Sequence, residues 1–166
     1  MKKAKRKSIQ AYRIHRLNFA FTNHSKEKVP TANQFARWID AVLVYLHLHA
    51  NISLLLADEI EAKSFNLNYR GKDYATNVLS FELGRENSLP ERIIGDLLIC
   101  PQVVAKEANE QGKDILSHYA HLTVHGTLHL AGFYHINDLD AEKMEMLEIN
   151  ILNRLGYDNP YNDKEC

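Results

Sequence analysis

Cysteine is almost missing from this chain of 166 residues: Cys100 lies in an apolar run and Cys166 is the last residue. Two such positions supply neither a disulfide framework nor enough thiolates for a metal site, and they fit a reducing compartment. Seven glycines and four prolines are too few for a collagenous or low-complexity chain. No apolar run approaches the roughly 20 residues that cross a bilayer. An export signal is not expected either, because residues 17–24, which follow a basic start, are too short and too polar to form its apolar core. The expectation is a soluble, cytoplasmic protein that does not enter the membrane. What is present, 45% hydrophobic and 25% charged residues, is enough for one well-packed core.

The net charge of −1 is unevenly spread. Residues 1–16 carry Lys2, Lys3, Lys5, Arg6, Lys7, Arg13 and Arg16 with no acid, which leaves 13 basic against 21 acidic residues in the body. The start reads as a flexible, solubilising extension, with a salt-sensitive grip on RNA phosphates as the alternative.

Residues 17–22, 51–58, 76–83 and 92–100 have the composition and alternation of strands. Helices are expected where caps precede amphipathic runs. Thr31 with Gln34 forms a capping box before a helix to about residue 49, and Asp58 opens one that ends near Asn68. Pro101 opens a third, Asp114 or Ser117 a fourth that Gly132 stops, and Asp138 or Asp140 a fifth that ends at Gly156. The fold expected is one α+β domain over residues 17–161, with about five helices on the two sides of a small four-stranded sheet, followed by a short tail at 162–166.

The most informative stretch is HGTLHLAGFYH, in which His125, His129 and His135 are spaced as in a zincin-like three-histidine metal site. Helical residues four apart lie about 5–6 Å from each other at Cβ, so two imidazoles can reach one Zn²⁺. Gly132 can adopt positive φ and turn the chain back to bring in His135. Three protein ligands with an open position describe a catalytic ion that acidifies water or polarises an oxyanion. His118 and His121, upstream on the same helix, read as packing or capping residues, with a supporting or alternative-ligand role also open. Zinc peptidases of similar spacing have Glu after the first histidine as general base, where this chain has Gly126. The absent carboxylate argues against amide hydrolysis. An RNA phosphodiester suits the remaining chemistry, having anionic oxygens for the metal and a 2′-OH as internal nucleophile.

A second constellation is NYRGKDYATNVLSF, with Arg70, Gly71, Lys72 and Asp73 expected in a turn between helix and strand. An arginine fork there could clasp a phosphate, although such turns are commonly just solvated connections. Tyr69 and Tyr74 are candidates for base stacking or for packing.

Together with IGDLLICPQVV, SHYAHLTVHGTLHLAGFYH, DAEKMEMLE and LGYDNPY, these motifs make residues 17–161 resemble the YbeY family of bacterial metallo-endoribonucleases. The resemblance implies a zinc-dependent, single-strand-specific endoribonuclease that matures the 3′ end of 16S ribosomal RNA and serves ribosome quality control. Its partners would be ribosomal RNA, the small subunit and ribosome-associated proteins. One zinc ion per chain would sit on His125, His129 and His135, with His125 acting alongside the metal and Arg70 neutralising phosphate charge. The longer basic start departs from the family pattern, as does the wording around the last histidine, Phe133-Tyr134 and Asn137-Asp138-Leu139. Asp138 and Asp140 there read as helix caps. A peptidase-like hydrolase and a non-catalytic assembly adaptor stabilised by zinc are the rival readings.

Overall fold

The computed structural model describes residues 10–14, 16–87 and 91–162. The cluster Lys2 to Lys7, the turn residues Ser88 and Pro90 and the tail beyond residue 162 lie outside these. The chain alternates its elements as β1 (Gln10–Ile14), β2 (Leu17–Asn23), α1 (Ala32–Leu46), β3 (His49–Leu56), α2 (Glu59–Arg70), β4 (Val78–Glu86), β5 (Arg92–Ile99), α3 (Pro101–Glu110), α4 (Ile115–Leu130) and α5 (Asp138–Arg154). The α+β architecture and the five helices are as read from the sequence.

All four expected strands are present, and a fifth corrects the count. Gln10–Ile14, inside the stretch read as a flexible extension, pairs antiparallel with β2, Ile14 opposite Leu17. Edge pairing uses backbone groups alone, so the basic composition that argued for a free tail does not prevent it. The sheet order is β1-β2-β3-β5-β4, with β2, β3 and β5 parallel and β4 returning antiparallel to β5 as the other edge.

Alternation fixes which face is covered. Leu17, Phe19, Ile52, Leu54 and Leu97 point into the main core beneath α1, α4 and α5. On the opposite face, Leu79, Leu98 and Phe81 pack with Ala62 and Phe65 of α2. The helix starts follow the local chemistry. Thr31 and Gln34 exchange both capping-box hydrogen bonds, at 2.8 and 3.2 Å, and the Asp58 and Asp114 side chains accept from the backbone of Glu61 and Ser117. α1 ends three residues earlier than expected, because His47 takes a left-handed φ of 56° and releases the chain into β3.

α4 is the central helix. It is buried through Tyr119, Ala120, Val124 and Leu128 and leaves one stripe free, His121, His125 and His129, spaced four apart. Its approach to the sheet is set by glycine: a Cβ at Gly95 of β5 would lie 2.7 Å from Leu130 Cδ2.

Candidate metal centre

The two helical histidines meet as the spacing requires. His125 Nε2 and His129 Nε2 face each other at 2.9 Å. After Leu130 the chain reverses, with Gly132 at φ 97° and the Phe133 amide donating to the Leu128 carbonyl at 3.1 Å. That reversal carries His135 back until its ring centroid is 5.5 Å from that of His125 and 6.0 Å from that of His129. One nitrogen from each of the three lies within 4.8 Å of the others. A tetrahedral ion with metal–nitrogen bonds of about 2.0–2.1 Å needs nitrogens about 3.3 Å apart, so small rotations of these imidazoles suffice. Burial, reinforced by His125 and His135, pulls the His129 imidazole down to about 4, so it is neutral, as a ligand must be, at physiological pH. The three residues fit a small divalent ion that prefers nitrogen.

Beneath them lies a group that the sequence reading passed over. Glu148 of α5 is fully buried. Its Oε1 is 2.5 Å from His125 Nδ1, and its Oε2 is 3.0 Å from His121 Nε2 and accepts a hydrogen bond from the Tyr161 hydroxyl. Burial alone would push this carboxyl up, but the hydrogen bonds from His121 and His125 outweigh it and hold it down at about 2. His121 is therefore neither a spare ligand nor plain packing, since it shares Glu148 with His125. A signal was present in the sequence. Glu148 lies four residues after Met144 and three before Ile151, a carboxylate on the apolar stripe of its helix.

Arg70 corrects the reading of the second motif. It is not in the turn but is the last residue of α2, where Gly71 closes the helix at φ 69°. Buried Asn66 pins the following loop by donating to the Tyr74 carbonyl at 2.8 Å. This places Arg70, Asn77 and Ser80 on one wall of a cleft of about 310 Å³ whose other wall is His121, His125 and His129. Tyr161 also lines it. Among the described residues Arg70 makes no ion pair. Lys72 does not line the cleft, and Asp73 pairs with Lys63 at 3.5 Å. The Tyr69 ring stacks on Phe65 at 6.0 Å and meets Phe81 edge-on at 5.2 Å, while remaining largely exposed. The cap of α5 is Asn137, which accepts from the Asp140 amide at 2.9 Å; Asp138 and Asp140 occupy the first turn instead.

Gly126 has a structural reason of its own. A Cβ there would lie 3.0 Å from Leu97 Cδ2, 3.1 Å from Val78 Cγ2 and 3.2 Å from Ser80 Oγ, and the Ser80 hydroxyl donates to the Gly126 carbonyl at 3.0 Å. Position 126 faces the sheet, so a side chain there would enter the β4–β5 surface. The glycine lets helix and strand close up to form the cleft.

Comparison with known proteins places this geometry. The pattern of a family described as endoribonuclease YbeY matches residues 20–156. Proteins called endoribonuclease YbeY from Neisseria gonorrhoeae and Neisseria meningitidis serogroup B are 49% and 48% identical over 168 aligned residues, covering 98% of this chain and 98% and 99% of theirs. A solution structure of a Thermotoga maritima protein shares the fold with a TM-score of 0.55 at 20% identity, over 90% of this chain and 96% of that one. At that extent and identity, the chain belongs to the endoribonuclease YbeY family.

Proposed function

We propose that the protein is a zinc-dependent, single-strand-specific endoribonuclease of the cytoplasm. In this reading it acts on ribosomal RNA of the small subunit, in 3′-end maturation of 16S RNA and in ribosome quality control, together with ribosome-associated proteins. The observation that carries the reading is the convergence of Arg70 with His125 and His129 on one cleft. Family membership supports RNA as the substrate class.

His125, His129 and His135 would hold one zinc ion per chain. Bound there, zinc supplies Lewis acidity toward an anionic oxygen or a water molecule. The chain's own groups do the rest. The Arg70 fork binds non-bridging phosphate oxygens and offsets the charge that grows on them as the phosphorus becomes five-coordinate. Glu148 engages His125 at Nδ1, so Nε2, which faces His129, is the nitrogen of His125 that would hold the ion. Ser80 and Gly126 hold the two walls at a fixed separation through their hydrogen bond. A peptidase reading loses its footing at Gly126, where a base carboxylate would be driven into the sheet.

The test is cleavage of a single-stranded 3′-end fragment of 16S RNA by the purified protein beside its His129→Ala and Arg70→Ala variants, with zinc measured in each. Loss of cleavage in both, with zinc lost only from His129→Ala, is the expected result. Equal cleavage by all three would mean a contaminating ribonuclease and would favour the adaptor reading.

A further inference from the structure

Glu148 is the one described carboxylate with no exposed surface, and it is not spent on a cation of the usual kind. Its two oxygens are taken up by two histidines and a tyrosine, drawn from α4 and from the segment after α5. Desolvating a carboxylate is costly unless its lone pairs find donors. All three partners must therefore donate toward Glu148: His125 through Nδ1, His121 through Nε2 and Tyr161 through its hydroxyl. For a neutral imidazole, a donor at Nδ1 means a lone pair at Nε2. The Nε2 atom of His125 is the one facing His129.

We infer that Glu148 is the positioning residue of the metal centre: it fixes the His125 tautomer and ring orientation so that Nε2 is presented as a ligand, and it draws Tyr161 against the same support. The inference rests on the reading of His125, His129 and His135 as metal ligands and not on the nuclease assignment. It also accounts for the burial of an acid on the apolar stripe of α5, which packing alone would fill better with leucine. His121 and Tyr161, 3.2 Å apart at Nε2 and hydroxyl, occupy the second oxygen and stop the carboxylate from rotating away from His125.

The test uses the full chain with zinc as the only added ligand. Zinc affinity is measured by competition with a chromophoric chelator for the wild type, Glu148→Gln and Tyr161→Phe, and the tautomer of His125 is read from its ring ¹⁵N shifts in the metal-free protein. The wild type is expected to carry its proton on Nδ1. Glu148→Gln should bind zinc about 10–100-fold more weakly with a mixed tautomer, and Tyr161→Phe less than about threefold more weakly. Zinc affinity of Glu148→Gln within threefold of the wild type, with or without a lower melting temperature, would make the residue merely structural and overturn the inference. A wild-type proton on Nε2 would overturn it without any variant, so a Glu148→Gln protein that fails to fold does not shelter it. If the wild type binds no zinc, the ligand reading and this inference fall together, whereas zinc binding with no RNA cleavage would sink only the nuclease assignment.

Discussion

The two walls of the cleft are built on opposite principles. The histidine wall rests on a buried helix, with a buried carboxylate beneath it that engages His121 and His125. The arginine wall is the exposed end of α2, where Arg70 is placed by the helix cap at Gly71 and by the pinned loop behind it, without an anionic partner among the described residues. Metal ligands must converge within tenths of an ångström, so preorganisation rewards burial there. A group that meets a flexible, hydrated phosphate chain gains from reach and from a free charge.

That contrast is sharpest in what each wall tolerates. His129→Ala removes one of the three proposed ligands, and zinc affinity is expected to fall by about 10³-fold or more, with metal-dependent cleavage falling with it; elemental analysis after dialysis reads the first effect directly. Gly126→Glu, which restores the residue a zinc peptidase would carry, should create no peptidase. It should instead destabilise the fold by about 3 kcal/mol or more, because the carboxylate meets Leu97 and Val78 rather than solvent. Denaturant unfolding measures this, and casein hydrolysis by a stable Gly126→Glu protein would break the comparison.

On the other wall, Arg70→Ala should leave zinc content and melting temperature unchanged while lowering kcat by about 10²–10³-fold, as expected for a group that acts on developing charge. Concurrent loss of metal would show that the walls are not independent. The smallest effect is an acid limb of stability set behind the cleft. Burial pushes the Glu107 carboxyl up, but hydrogen bonds from His118 and Asn77 outweigh it and leave it below its ordinary 4.5. Its contribution is therefore full above pH 4.5 and lost as pH falls through the lower folded value, where the unfolded chain holds more protons. Urea midpoints between pH 3 and 6 should decline less steeply toward acid in Glu107→Gln.

Local chemistry made much of this legible. The Thr31–Gln34 box, the Asp58 and Asp114 caps and the reversal at Gly132 depend on residues within one or two turns of each other, and each is where the sequence puts it. The three-histidine cluster is of the same kind, since its geometry follows from a helix and one glycine. What escaped was non-local. β1 exists because β2 offers it an edge, and the Glu148 contacts cross 23 residues to His125 and 13 to Tyr161. Arg70 falls between these cases: its motif stood out, but its place on the helix rather than in the turn depended on where α2 ends.

Chain order adds a temporal side to the architecture. All five strands are encoded by residue 99, the histidine cluster spans 125–135, and the supports Glu148 and Tyr161 come later still. A polypeptide emerging from its N-terminus therefore exposes every strand of the scaffold before the first of the three histidines and long before their support. The nascent protein passes through a stage in which the sheet is available to fold and the metal centre is not, so a chain stalled or cut before α5 would be born without the carboxylate that orients His125.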